Sequence, residues 1–461
     1  MLPVRRHLFP IWAQKRIPIH DGMVDWEALL LMARQLGRFL MRFMMKLTWI
    51  PVCCALFTVA PVYAGESAEL PFGASLPAML DWLDQHHPEI QAMQQESLAA
   101  MARVTPAGAL PDPMFRMELQ DIDRSNPTLA PNKVGSTKYS FIQSLPWWGK
   151  RDLQRGVAES EAKRVGTQVA QTRNELRARL KVGYAQFFYS HTAARVNQEL
   201  AEIAARLEQV AQTRYANGLA PQQDALKAQL EKTSLSAERL SLTSEIRQVE
   251  ARLNVLLLRP VNAQLTPPLA LPGLDKGLPS ADLASLALQR NPQIQSQNAQ
   301  IESAQASRKL ADSNRYPDFA LGIAPIQTGN RVEKFEVMLE MNLPLRWDVR
   351  NAQRDEAGAM LAAAESRKNA AEQQLRGDIE EARSAYLLAQ SQQQLLSNTL
   401  LPQAQLTFRS ALAGYENGKV DFTTVLDSIR QIRQLRLDLA RNQKEQLTRQ
   451  AELEKWIGEE L

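Results

Sequence analysis

Apolar and polar positions fall into two patterns along this chain. Short stretches alternate: Phe115, Met117 and Leu119 with Arg116, Glu118 and Gln120, then Tyr139 and Phe141 with Lys138 and Ser140. Further on, Phe319, Leu321 and Ile323 alternate with Ala320, Gly322 and Ala324, and Phe335, Val337, Leu339 and Met341 with Lys334, Glu336, Glu340 and Asn342. A period of two is what a strand with one apolar face requires, so two hairpins of two strands are predicted. Much longer stretches of Ala, Gln, Leu, Arg and Glu predict helices near 76–104, 150–214, 222–258, 281–314, 348–413 and 422–457.

The order of these elements repeats. His87-Pro88-Glu89-Ile90-Gln91 answers Asn291-Pro292-Gln293-Ile294-Gln295, and Asp112-Pro113-Met114-Phe115 answers Tyr316-Pro317-Asp318-Phe319. Ser144-Leu145-Pro146 likewise matches Asn342-Leu343-Pro344, and Tyr215-Ala216-Asn217-Gly218 matches Tyr415-Glu416-Asn417-Gly418. The matches come in the same order in both halves, at an offset of roughly 200 residues, which marks an internal duplication. Residues 65–270 and 271–461 are therefore expected to be two structural repeats, each a helix, two strands, a very long helix, a turn and another helix.

A helix from 150 to 214 extends on the order of 100 Å, longer than a compact globular domain can hold. Its apolar positions are unusually small: Ala158, Ala162, Ala170 and Ala178, with Ala357, Ala362, Ala363, Ala364 and Ala371 in the counterpart helix. A two-stranded coiled coil favours sustained Leu, Ile or Val. Alanine with Gln and Arg instead suits a wide ring, in which each helix touches two neighbours and meets water elsewhere.

Charge and cysteine usage bear on location. Met41-Arg42-Phe43-Met44-Met45-Lys46 is a basic start, Leu47 to Ala60 an uncharged apolar run, and Val62-Tyr63-Ala64 a small-residue cleavage site before Gly65, the pattern of a secretory signal. Residues 1–64 are therefore read as an N-terminal extension plus signal peptide, cut between Ala64 and Gly65. Met41, Met44 or Met45 would each start a signal of normal length. The segment holds eight of the 54 Lys/Arg and three of the 50 acids, so the mature chain carries a net −1 and gives no electrostatic case for nucleic acid. Both cysteines, Cys53 and Cys54, lie in the apolar run and leave the mature chain without a disulfide or thiolate site.

For an exported chain the alternating segments acquire a meaning. About ten residues of apolar-out, polar-in alternation suit a tilted strand of a barrel that crosses an outer membrane. Four strands cannot close such a barrel, and an unpaired edge has no water to bond in lipid, so other copies must complete it; three chains would supply twelve strands. Trp147 and Trp148 after Pro146, and Trp347 after Pro344, sit where strands end, as an interfacial aromatic belt would. Soluble hairpins packed on helices, with the indoles as ordinary packing residues, are the plainer alternative.

Signal, duplicated grammar and paired Tyr-x-Asn-Gly turns together resemble the TolC-like outer-membrane efflux family over residues 75–458. The resemblance implies a mainly α fold with a membrane β-barrel part. Internally duplicated long-helix hairpins would form a trimeric α-helical barrel in the periplasm, continuous with a 12-stranded β-barrel in outer-membrane lipid. It places Tyr215, Asn217, Gly218 and Leu219, with Tyr415, Asn417, Gly418 and Lys419, at a periplasmic tip that meets an adaptor and opens like an iris. Partners would be two further copies, a periplasmic adaptor protein and an inner-membrane RND-type pump; no nucleic acid and no cofactor are implied. Gln143-Ser144-Leu145-Pro146-Trp147-Trp148-Gly149-Lys150-Arg151, preceded by Leu110-Pro111-Asp112-Pro113, resembles the heavy-metal branch, which implies metal cations as cargo; drugs or secreted protein are the alternative. Where some members narrow the lumen with carboxylates, 408–414 has none, and Glu416, Asp421 and Asp427 are the nearby acids. Acylation at Cys53 or Cys54, as in some relatives, is poorly matched by the preceding Ile50-Pro51-Val52.

No phosphate loop, zinc-binding His-Glu-x-x-His or nucleophile elbow is present, so an enzyme is not expected. His86 and His87 are adjacent and do not share a helix face, and Met114 and Met117 are better read as strand packing than as soft-metal ligands. The rival readings are a periplasmic coiled-coil adaptor without a barrel and an exported hydrolase.

Overall fold

The computed structural model describes residues 73–125, 127–268, 270–271 and 282–461. The predicted signal and its cleavage between Ala64 and Gly65 lie outside them. Helices α1 (Leu76–His86), α2 (Pro88–Ala102) and the single turn α3 (Val104–Ala107) lead to strands β1 (Met114–Gln120) and β2 (Ser136–Leu145). Two long helices follow, α4 (Lys150–Ala216) and α5 (Gln222–Leu256). The second half repeats this with α6 (Leu283–Arg290), α7 (Pro292–Ser313), β3 (Phe319–Thr328), β4 (Arg331–Met341), α8 (Trp347–Leu395), α9 (Leu401–Glu416) and α10 (Phe422–Ile457).

The helices predicted as single pieces over 76–104 and 281–314 are each broken. Pro88 and Pro292 cause the breaks: proline pushes the residue before it out of helical conformation, and His87 and Asn291 accordingly have ψ of 121° and 123°. Each then caps the helix that follows, His87 Nδ1 accepting from the Glu89 N–H and Asn291 Oδ1 from the Gln293 and Ile294 N–H groups. The long helix predicted over 348–413 is interrupted as well. Residues Leu396–Leu400 form a π-helical turn, in which the Leu401 N–H donates to the Leu396 carbonyl five residues back. Pro402 lies just beyond and has no N–H for the ordinary four-residue bond, so the wider turn accommodates it. Its counterpart α4 runs 67 residues without interruption.

Toward the two Tyr-x-Asn-Gly turns, α4 packs against α5 on one side and α10 on the other, and α10 against α8 and α9. The result is a row of helices with α5 at one end and α8/α9 at the other, in which α9 reaches α5 through the Tyr415–Asp224 hydrogen bond near the turns. Val196, Leu200, Leu207 and Ala211 of α4 interlock with Leu235 of α5, Tyr415 of α9 and Val425 and Ile429 of α10. At the other end α2, α4, α7 and α8 lie side by side. Between them, Leu176, Leu180, Tyr184 and Phe187 of α4 bury Leu76, Met79, Leu80 and Leu83 of α1. In the second half, Leu375 and Ile379 of α8 receive Leu283 and Ala287 of α6 and Ile294 of α7.

The four strands form one antiparallel sheet in the order β1-β2-β3-β4. Both hairpins thus join across β2 and β3, leaving β1 and β4 as edges.

Candidate functional site

The sheet register decides which side chains share a face. Phe115 lies opposite Phe141, Phe141 opposite Ile323, and Ile323 opposite Val337; Phe319 lies opposite Met341 and Leu321 opposite Leu339. Because directly opposed residues point the same way and alternate residues along a strand do too, Phe115, Met117, Leu119, Tyr139, Phe141, Phe319, Leu321, Ile323, Phe335, Val337, Leu339 and Met341 all occupy one face. Most of this face is exposed, up to 79% for Phe335 and 83% for Val337. An apolar surface spanning a whole sheet is uncommon on a monomer in water and marks an interaction surface. The opposite face carries Arg116, Glu118, Lys138, Lys334, Glu336 and Glu340, with Lys138 Nζ 2.5 Å from Glu336 and Arg116 3.6 Å from Glu118.

At the helix-ward end of the sheet, the Pro-Trp-Trp-Gly-Lys run makes a turn whose Gly149 adopts φ 81°, a conformation glycine takes without a Cβ penalty. Trp147 is half-buried, stacked on Tyr316 at 4.8 Å, and its backbone N–H donates to Asp318 Oδ1 at 2.8 Å. Trp148 and Trp347 are exposed, at 78% and 59%. Of the three indoles, then, Trp147 serves mainly in packing and the other two stand at the surface. Lys150 is buried and donates to the same Asp318 Oδ1 at 2.9 Å and to the Tyr316 carbonyl at 3.3 Å. It clips the start of α4, in the first repeat, to the strand entry of the second. Asp318 retains 43% side-chain exposure, so Lys150→Met should cost about 1.5–3 kcal/mol, the range for a hydrogen bond to a charged group, below the about 3–5 kcal/mol of a fully buried pair. Thermal unfolding of the purified protein measures it, and an unchanged midpoint would show that the clip carries no weight.

The two helical turns at the other end are near copies. Gly218 and Gly418 have φ 72° and 70°. The Leu219 N–H donates to the Arg214 carbonyl and the Lys419 N–H to the Gly414 carbonyl, both at 2.8 Å, closing Schellman-type caps. Asn217 and Asn417 Nδ2 donate back to the Thr213 and Ala413 carbonyls at 2.9 and 2.8 Å. Local capping accounts for Asn and Gly in both turns. Tyr215 and Leu219 are exposed, while Tyr415 is buried against Phe422.

Sequence reasoning did not find what joins the turns. Arg214 Nη1 donates to the Glu416 carbonyl at 2.6 Å and its guanidinium lies 4.9 Å from the Tyr415 ring centre. The Tyr415 hydroxyl donates to Asp224 Oδ2 at 3.2 Å, and burial, then the Asp224 charge, push its pKa up to about 12. Behind these, Lys227 Nζ bonds Thr423, and Arg430 and Arg433 pair with Glu231 and Glu238 at 2.6 and 2.9 Å. Every link runs between the first helical hairpin and the second. Of the acids considered for a gate, Asp421 caps α10 through the Thr424 N–H and Asp427 lies 3.7 Å from Arg430; the Glu416 carbonyl, not its carboxylate, takes part in the latch.

Leucines stand exposed on the two end helices of the row, Leu226, Leu230 and Leu240 on α5 and Leu388, Leu395 and Leu406 on α8 and α9. His86 stacks on Trp82 at 4.0 Å and His87 is a helix cap. Among the described residues no group of three or more His, Cys, Asp or Glu could hold a metal ion, and no helix is long and apolar enough to cross a membrane.

Residues 283–459 match the family of outer membrane efflux proteins. The chain is similar to the cobalt-zinc-cadmium resistance protein CzcC of Cupriavidus metallidurans, 23% identical over 389 residues that cover 82% of this chain and 88% of CzcC. Among solved structures it shares its fold with the outer-membrane channel OprN, at a TM-score of 0.73 and 17% identity over 83% of this chain and 89% of OprN. CusC gives a TM-score of 0.73 at 14% identity over 84% and 94% of the two chains, and VceC of Vibrio cholerae 0.71 at 17% over 84% and 97%. The fold is that of an outer-membrane channel protomer.

Proposed function

We propose, for a chain whose residues 283–459 match the outer membrane efflux protein family, that it is the outer-membrane channel of a tripartite efflux system, a passive duct. The observation that carries this reading is the sheet with one largely apolar face, interrupted by Thr137 and Gln143, an opposite face that bears the charged side chains, and two unpaired edges. In lipid, every backbone N–H and C=O on β1 and β4 must find a partner. Pairing β1 of one copy with β4 of the next satisfies both edges, turns the apolar face to the acyl chains and lines the lumen with Glu118, Lys138, Glu336 and Glu340. Three copies give a barrel of twelve strands. The exposed leucines of α5 then meet those of α8 and α9 on the next copy, a head-to-tail contact that closes as a ring. The described residues fall into two repeats within 65–270 and 271–461, with Trp148 and Trp347 at the periplasmic-side interface of the membrane. Tyr215, Asn217, Gly218, Leu219, Tyr415, Asn417, Gly418 and Lys419 form the periplasmic tip, where a periplasmic adaptor docks and couples the duct to an RND-type pump.

For cargo we infer heavy-metal cations, supported by the likeness to CzcC, a resistance protein for cobalt, zinc and cadmium. A duct passes what the pump delivers, so the described residues need hold no metal of their own. Deleting the gene and measuring growth tests both levels. Sensitivity to cobalt, zinc or cadmium, restored by the full chain, is expected; sensitivity to drugs alone would reassign the cargo. Recovery of the protein without detergent, as a monomer, would end the channel reading.

A further inference from the structure

The exposed sheet face does not end flat. At its helix-ward end it runs into a cavity of about 550 Å³ floored by Leu145, Phe319, Leu321 and Leu339 and walled by Trp147 and Trp148. The walls are fixed in advance. Trp147 is held by Asp318 and Tyr316, and Trp148 meets it edge-on at 5.0 Å and meets Phe319 at 6.1 Å. The Trp148 indole is 78% exposed, so its apolar face is free to receive a ligand against the sheet.

The mouth carries one cation and one anion on adjacent residues of the first turn of α4. Arg151 donates through Nε and Nη2 to the Gly108 carbonyl at 3.0 and 2.8 Å, which orients its guanidinium plane, and no carboxylate among the described residues pairs with it. Asp152 is 76% exposed and lies 3.7 Å from Arg155. An apolar slot of this size, within the about 300–1,000 Å³ of ligand pockets, opening beside a phosphate-binding cation and an ammonium-binding anion, has the complementarity of a zwitterionic lipid.

We propose that this groove binds one aminophospholipid per protomer, an acyl chain between Trp148 and the sheet, its phosphate at Arg151 and its amine at Asp152. The inference rests on the outer-membrane reading above and adds a specific lipid site to it. Arginine suits the phosphate because, with Nε and one Nη2 hydrogen engaged by the Gly108 carbonyl, Nη1 and the second Nη2 hydrogen still form a planar pair of donors for one anion.

The test uses the full-length channel purified in mild detergent, stripped of lipid and titrated with phosphatidylethanolamine bearing brominated acyl chains, or with phosphatidylglycerol likewise labelled. Tryptophan quenching should saturate near one lipid per protomer, and native mass spectrometry should count the same adduct. Trp148→Ala, which keeps Trp147 as reporter, should weaken binding about tenfold, a loss typical of a well-packed aromatic contact. Asp152→Asn should abolish the preference for phosphatidylethanolamine over phosphatidylglycerol while binding persists. Quenching that rises without saturation, or an unchanged affinity in Trp148→Ala, would overturn the site while the channel reading stands. A protein that never enters the outer-membrane fraction overturns both.

Discussion

Val337→Arg should leave the chain exported but unable to enter the outer membrane. Val337 is 83% exposed at the middle of β4 and opposite Ile323, so nothing in the protomer opposes the new side chain. In lipid, an arginine near the bilayer midplane of a barrel strand costs about 2–4 kcal/mol, and a ring of three chains bears it three times. Glu340→Arg is the matched control: it brings the same side chain to the face carrying Lys138 and Glu336, where water would receive it. Fractionation and gel mobility of the trimer should separate the two variants clearly. Equal behaviour of the two would mean that the faces are not lipid and lumen, and the barrel would have to be abandoned.

The second large effect belongs to the tip. Tyr415 and Asp224 stand on different helical hairpins, and the hydroxyl–carboxylate bond between them is half-buried beside Phe422. A hydrogen bond to a charged group contributes about 1.5–3 kcal/mol. Taking the arrangement described above as the closed one of the proposed tip, Tyr415→Phe with Asp224→Asn removes the bond from it, and the ratio of open to closed tips should rise about ten- to a hundredfold. Single-channel conductance in planar bilayers measures this directly, and a closed-state conductance unchanged in the double variant would remove these residues from gating. Alkali should act in the same direction. With its pKa raised from 10.0 to about 12, the folded tip holds the Tyr415 proton more tightly than the unfolded chain does; that stability is complete below pH 10 and is lost as pH climbs toward 12. Between pH 5 and 9 this bond should be indifferent to pH.

Much of this molecule was legible because its information is local. Strand alternation placed twelve side chains on one face, since a period of two cannot be satisfied any other way in an extended chain. The paired Asn-Gly turns were legible for the same reason: only a residue tolerant of positive φ closes such a helix end. Proline was the signal passed over. Pro88, Pro292 and Pro402 each stand inside a stretch of otherwise helical composition, and each coincides with a break or a widened turn. The latch was hidden for a different reason. Arg214, Asp224 and Tyr415 look like ordinary surface residues along the chain, and their meeting depends on helix packing that brings Asp224 and Tyr415 together across 191 residues of sequence. The same holds for Lys150 and Asp318, whose segments are visible in sequence as a Gly-Lys run and a repeated Pro-Asp but whose pairing is not.

The two ends of the helix row differ, and that has a consequence for inheritance. Each seam of the proposed ring takes α5 and β1 from one chain and α8, α9 and β4 from its neighbour. A chain with one spoiled edge can therefore still join through its sound one, and the ring it enters cannot close. In a cell carrying normal and edge-damaged copies together, intact channels fall as the cube of the normal fraction. Alleles that damage one edge should accordingly be dominant, whereas alleles that make no protein should be recessive.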